Sequence, residues 1–562
     1  MSSSTFALSN RQVMRAAVVM LFGFATSGVL GFVRTAVLGA TFGTSTALDS
    51  FYAAQRLPEA LYVLVAGGAL GSSFIPVFAR FRAQDEAAGW RLASAVMTCT
   101  TLVATVLAVI VALLAPQLVP AILAPGQPPD VQALIASLVQ VMMATVAIFS
   151  ISGLLMGILN AYQLFTLPAL ALSMNNIGLI IGALVFARAL PPMYVPGFVT
   201  DADIYGLALG SAHHRLPQLM LGTLSANVYG PALGAVLGAL LHLLVQLPGL
   251  PRIGARLRIL PDPRVPGVRD VLLLMGPRVL GLGVVQVNFI VNAALSSSMI
   301  EGSYTALTTA FTLMFFVLGI IAQSVGAAVF PTLSALSATA DYDGFKERLT
   351  GALRGVLFLA IPATVGLVVL GEPVITVLFE HGAWTRESTQ ATAWALAFFA
   401  VGVVGFAALE ILSRAFYALS DTRTPVGVGV VAMVANIALS LVFIRFIGDP
   451  NDLSRGPFAG LALANAVTTL VEALALWWLL RRRIGSMGDR ALAGITLRLL
   501  AAAGIMGLVV WLLLGVLEPS GPLLVVAGGT AAGAVVFFGL ATLFGIEEAR
   551  SIPRLLAARI RA

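Results

Sequence analysis

Cysteine is almost missing from this sequence. Cys99 stands alone among 562 residues, which excludes an internal disulfide framework and a cysteine-built metal cluster. Charge is scarce too. Asp, Glu, Lys and Arg make up 10% of the chain, where a soluble domain carries roughly 25%. Apolar residues fill the space: 59% are hydrophobic and the mean hydropathy is +0.98. These values exclude a water-soluble globular domain and describe a polytopic membrane protein, whose folding problem is helix packing in lipid. Catalytic signatures are also lacking. With no H-E-x-x-H, no G-x-S-x-G and no paired intramembrane aspartates, an intramembrane enzyme is disfavoured, and no catalytic or metal-binding residue is assigned. The first apolar run starts near Val13, is long enough to span and has no convincing A-x-A cleavage site, so it reads as a membrane helix rather than a cleaved signal peptide.

The charge that is present sits in a pattern. A formal net charge of +7 would suit nucleic acid. Its arginines, however, lie mostly in short connections between apolar runs, which is a membrane-topology signal, and no nucleic-acid partner is expected. Runs of about 20 apolar residues fall roughly at 13–39, 59–79, 92–116, 131–158, 167–189, 229–248, 270–295, 304–334, 352–379, 389–418, 425–446, 458–480, 493–517 and 521–544, which makes about fourteen helices. With the N-terminus inside, alternate connections should be basic, and "ARFRAQDEAAGWR", "PRIGARLRILPDPRVPGVRD", "DGFKERLTGALR", "SRAFYALSDTR", "RRRIGSMGDR" and "ARSIPRLLAARIRA" are. The intervening "LAPGQPPD" and "LEPSGP" are not. The expectation is a multi-pass protein of a bacterial cell membrane with both termini cytoplasmic.

The two halves echo each other. "GALGSSFIPVFARF" (68–81) resembles "SVGAAVFPTLSAL" (324–336), and "GILNAYQLFTLP" (157–168) resembles "EILSRAFYALSDTRTP" (410–425), both at an offset of about 255. "YGPALGAVLGALL" matches "FAGLALANAVTTL" at only about 229, so the first half carries an extra segment near 205–228. "YGLALGS" and "YGPALGA" flank it as a local duplication, with polar "SAHHRLPQ" between them. The resulting plan is all-α: an N-lobe of six helices (1–250), a pseudo-symmetric C-lobe of six (251–485), and two added helices with a basic tail (486–562). Paired repeats of this kind suit alternating-access transport, with substrate bound between them near the midplane.

Several charges fall inside the apolar runs. In "SGVLGFVR", Ser27, Gly31 and Arg34 share one helical face. Leaving Arg34 in lipid would cost about 2.5–3.5 kcal/mol. Two readings stand: neutralisation by a structural carboxylate such as Asp49, or a place on a water-filled cavity. Arg56 and Glu59, at the entry to the second helix, are either interfacial, with Arg56 snorkelling, or part of that cavity. Arg278 marks either the cytoplasmic rim or the cavity, and Glu410 is either a structural partner or a coupling site. His242, on an apolar helix, reads as a packed histidine. A cavity lined by Arg34, Arg56 and Arg278, with Asp49 and Ser27 beside them, suits an anionic substrate, because guanidinium forks bind phosphate oxygens in pairs.

"SGVLGFVRTAVLGATFG", "ALDSFYAAQRLPEALYVLVAGGALGSSFIPVF", "ILNAYQLFTLPALALSMNNIGLIIGALV" and "FPTLSAL" resemble the MviN/MurJ family of lipid II flippases, within the multidrug/oligosaccharidyl-lipid/polysaccharide exporter superfamily. The resemblance runs over nearly the whole chain. It implies fourteen helices, a cationic cavity between two lobes, and a lipid-tail groove formed by the last two helices. It also implies a substrate, lipid II or a related undecaprenyl-linked lipid, moved to the outer leaflet for peptidoglycan synthesis. Arg34, Asp49 and Arg56 fall on family positions. Gly28, Thr35, Tyr62, Gly67 and Thr312 stand where many members carry charge. Those departures keep two alternatives open: a flippase for another undecaprenyl-linked polysaccharide, and a divergent cell-wall scaffold that no longer transports. A drug/cation antiporter is disfavoured by the two extra helices. No cofactor is expected, and the chain reads as a monomer. The membrane potential supplies about 2.3 kcal/mol per charge per 100 mV, so it suffices as a drive, with Na⁺ or H⁺ coupling the other possibilities.

Overall fold

The computed structural model describes residues 10–67, 73–191, 193–194 and 224–550. It is helical throughout, apart from a two-residue antiparallel pairing that sets Met193 opposite Ser225. Among the described residues, twelve helices are long and apolar enough to cross a membrane. A bent pair, Val268–Gly276 and Gly281–Ser296, meets at 51° and brings the number to thirteen. The expected run at 59–79 crosses residues 68–72, outside the described set. The extra segment near 205–228 and the basic tail lie mostly outside it too.

Lipid is written on the surfaces. The Glu86–Leu118 helix buries Trp90, Ala93, Val96, Ala104 and Ala108 but exposes Leu102, Val103, Val106, Val109, Ile110 and Leu113. In its later half, small residues such as Ala104 and Ala108 face the protein and large aliphatic ones face outward, the arrangement that a hydrocarbon solvent favours. The helix starts where its donors are satisfied, with Asp85 accepting from the N–H groups of Ala87 and Ala88.

Packing divides the chain into Met1–Tyr304 and Thr305–Ala562. The Val268–Ser296 helix therefore falls in the first unit. That unit has a core around Phe74, Phe78, Trp90, Leu154 and Ile158. It also has a glycine seam, where the Thr166–Ile181 helix and its continuation meet Tyr229–Leu244. A Cβ on Gly178 would lie 2.3 Å from Gly238 Cα, and one on Gly182 would lie 2.6 Å from the Gly230 carbonyl oxygen. The backbones touch because nothing stands between them, the small-xxx-small solution to helix association in lipid.

In the second unit the Arg386–Ala418 helix is packed between Tyr342–Phe379 and Ala459–Ile484. The last two helices, Asp489–Leu517 and Pro522–Leu543, pack on Tyr342–Phe379 through Phe358, Leu499, Met506 and Phe537. At the end of Ala459–Ile484, the Arg482 guanidinium lies 3.6 Å from the centroid of the Trp478 ring. Aromatic and basic residues together at a span's end mark a membrane interface.

Candidate functional site

Arg34 is half-buried on the Asn10–Phe42 helix. The Thr166–Ile181 helix packs alongside and brings Asn176 to it. Arg34 Nη1 donates to Asn176 Oδ1 at 3.1 Å. Asn176 Nδ2 in turn donates to the Ser27 carbonyl at 3.1 Å, and the Ser27 hydroxyl donates to the Leu172 carbonyl at 3.0 Å. The shared face of Ser27, Gly31 and Arg34 is therefore real, and Asn176 covers it: a Cβ on Gly31 would lie 3.7 Å from Asn176 Oδ1. The Arg34 guanidinium thus receives a neutral partner on one nitrogen, while its Nε is buried and makes no hydrogen bond.

Asp49 is held elsewhere. Its Oδ2 accepts from the Gly302 N–H at 2.8 Å. Beside it, Glu301 Oε1 accepts from the Thr46 N–H at 2.6 Å and from the Thr46 hydroxyl at 2.8 Å. Carboxylates thus meet exposed donors at the starts of two helices, Thr46–Tyr62 and Ser303–Leu318, where such donors lack intrahelical partners.

Arg56 is the opposite of Arg34. It is only 8% exposed, so it does not snorkel. Its Nε donates to the Tyr304 hydroxyl at 2.7 Å, and its Nη1 pairs with Glu59 Oε2 at 3.1 Å. The guanidinium also lies 5.0 Å from the Phe289 ring centroid. Arg34, Tyr52, Arg56 and Glu59 are close enough to feel one another's charge. Arg278 lies on the Val268–Ser296 helix, and its side chain is outside the described set.

The remaining sequence candidates have local partners. His242 Nδ1 lies 2.5 Å from the Ser152 hydroxyl, which also accepts from Gln246 Nε2 at 2.7 Å. His242 is therefore a packed histidine in a polar cluster. Glu410 pairs with Arg414 at 2.5 Å along one helix face. At positions where the resemblance implied charge, Thr35 and Thr312 hydroxyls bond back to Gly31 and Thr308 of their own helices, and Tyr62 packs on Phe149 with centroids 4.9 Å apart. Sequence reasoning did not single out Asn176, Tyr304, Phe289 or Glu301. The one visible signal was a pair of asparagines, Asn175 and Asn176, inside an apolar run.

Residues 38–526 match the family model described as lipid II flippase MurJ. The lipid II flippase MurJ of Burkholderia cenocepacia is 30% identical over 478 residues, 83% of this chain and 84% of its own. A probable lipid II flippase MurJ of Bdellovibrio bacteriovorus is 30% identical over 551 residues, 97% of each chain. Among solved structures, a lipid II flippase MurJ in an inward closed conformation superposes with a TM-score of 0.72 at 22% identity, over 94% of this chain and 98% of that one. An inward-facing multidrug resistance MATE family transporter follows the same fold at a TM-score of 0.63 and 14% identity, over 84% of this chain and 99% of its own.

Proposed function

The chain belongs to the lipid II flippase MurJ family, and we propose from that premise that Arg34 holds the pyrophosphate of the precursor as it crosses. The protein is a transporter and not an enzyme. It moves lipid II, the undecaprenyl-pyrophosphate-linked precursor of peptidoglycan, from the inner to the outer leaflet by alternating access, as a multi-pass protein of the inner membrane.

One observation carries the assignment of Arg34. It is a cation within a membrane span, its resolved bond goes to a neutral amide, and its buried Nε has no partner. A charge in that position is a functional site by default, and a pyrophosphate oxygen supplies the missing acceptor. Arg56 is already answered by Glu59 and Tyr304, so in this reading it shapes the site and contributes less net charge. Asn176 and Ser27 orient the Arg34 fork. Asp49, on Gly302, secures the ends of two helices. Arg278 adds a further cation. We take the protein to act as a monomer without cofactor, with both termini in the cytoplasm.

The test uses cells in which this protein is the sole lipid II flippase, with externally accessible lipid II as the readout. Arg34→Ala is expected to lower the flipping rate about 10- to 100-fold, the equivalent of a hydrogen bond to a charged group, with expression near normal. Arg34→Lys should recover part of it, since a point charge replaces a fork. A wild-type rate in Arg34→Ala would make the arginine structural. A wild-type protein that never flips lipid II would give weight to another undecaprenyl-linked cargo, or to none.

A further inference from the structure

Glu472 lies midway along the Ala459–Ile484 helix, about 18–20 Å from its ends at a rise of 1.5 Å per residue. Among the described residues it makes no hydrogen bond and no ion pair, and it is half-buried. Asn465, Thr468 and Glu472 fall at i, i+3 and i+7, on one face. That face meets the Arg423–Phe443 helix. Asn436 Nδ2 donates to the Thr468 hydroxyl at 3.2 Å across the seam. Further along, a Cβ on Gly429 would lie 3.3 Å from Glu472 Oε1, so the carboxyl group rests against bare backbone.

Among the described residues, no cation is paired with Glu472. The two helices packed most closely on Ala459–Ile484 are Arg386–Ala418 and Arg423–Phe443. From the first, Tyr417 lies within electrostatic reach of both Glu410 and Glu472, and Arg414 is taken by Glu410. The second has no ionisable side chain after Arg423, its first residue. On its own helix the nearest arginines are Arg481, Arg482 and Arg483, more than two turns away at the rim. A carboxyl group so placed inside a span is a functional site by default, and its ionised form needs water or a cation. Access to water is what an alternating-access cycle changes.

We propose that Glu472 is a proton-binding site of the second unit, and that the proton it takes up and releases couples to movement of the lipid precursor. The carboxylate takes a proton from water on one side of the membrane and returns it to water on the other, with no bond other than O–H made or broken. The coupling half of this proposal rests on the flippase reading, whereas the binding half does not.

Two measurements on the full-length protein separate them. Infrared difference spectra of the protein in lipid nanodiscs, between acid and alkaline buffer, should contain a protonated-carboxyl C=O band that Glu472→Gln removes and Glu472→Asp shifts. In proteoliposomes, an imposed pH gradient should change the initial rate of lipid II flipping by the wild type. Glu472→Gln, nearly isosteric and checked for unchanged thermal stability, should still flip but lose the response, and Glu472→Asp should regain it. Spectra that Glu472→Gln leaves unaltered overturn the site. A gradient response equal in wild type and Glu472→Gln, or a dependence on Na⁺ alone, overturns the coupling. A wild type that takes up the proton but moves no lipid II overturns the flippase reading and leaves the proton site standing.

Discussion

Arg34 and Arg56 have the same charge and sit on successive helices, yet their surroundings assign them different work. The Arg56 guanidinium is closed in by Glu59, Tyr304 and Phe289, and removing it takes the cationic donor away from Glu59 and from the Tyr304 hydroxyl. Arg56→Leu is therefore expected to destabilise the purified protein by about 1.5–3 kcal/mol, the range for losing a hydrogen bond to a charged group. The Glu59 side chain is 40% exposed, and water screening keeps the effect toward the lower end. A lowered melting temperature in detergent, with Glu59→Gln intermediate, checks this. An unchanged melting temperature with flipping abolished would move Arg56 into the substrate contacts. At this scale the sequence was informative about arginines because a charge in lipid is expensive wherever it falls. It was silent about Asn176, whose bond to Arg34 spans 142 residues of sequence and exists only once two helices have packed.

The helices themselves were legible from their apolar runs, but what joins them was not. The second span reads as starting near 59, whereas its helix begins at Thr46, with the Ser45 hydroxyl accepting from the Leu48 N–H. Asp49, Arg56 and Glu59 break the apolar run there, so the charges that give the segment its chemistry also hide it. The turns that follow π-type geometry, Val63–Gly67 and Gly319–Gln323 among them, leave no mark in periodicity, because one extra residue per turn only shifts the phase. The glycine seam is different. Gly178 and Gly182 face Gly230, Gly234 and Gly238, and all five keep a four-residue spacing readable in the sequence. Any side chain there must push backbone apart. A Cβ at Gly234 would already lie 2.7 Å from the Gly178 carbonyl oxygen. Gly234→Leu is expected to exceed the usual 1–3 kcal/mol of overpacking and to reduce the folded protein recovered in membranes. Gly276→Ala, where a Cβ meets nothing within 4 Å, is the matched control and should express normally. Equal recovery of both variants would mean that the seam adapts.

Across the whole molecule, charge parity decides a crossing that apolar length alone leaves out. Length and composition give twelve spans, or thirteen with the bent pair, and an odd number would put the termini on opposite sides. Connections rich in arginine, such as those holding Arg80, Arg82 and Arg91, then Arg252, Arg256 and Arg258, then Arg481, Arg482 and Arg483, must all face the cytoplasm under the positive-inside rule. With the N-terminus inside, as proposed above, that holds only if the chain crosses once between Thr46 and Gln84. The segment has the reach. Thr46 to Gly67 is continuous helix and π-turn, and at 1.5 Å per residue it measures about 33 Å, enough for a hydrocarbon core of about 30 Å. It misses a purely compositional test because Asp49, Arg56 and Glu59 fall inside it. The lone cysteine makes the experiment direct. On a Cys99→Ala background, Ala83→Cys and Ser486→Cys should resist a membrane-impermeant maleimide in right-side-out vesicles and react once the vesicles are opened. Asn451→Cys, in the connection with Asp449 and Asp452, should react from outside. If the Thr46–Gln84 segment turned back instead of crossing, Ala83→Cys and Ser486→Cys would label from outside and Asn451→Cys would not. Three sites reversing together cannot be mistaken for one disturbed loop.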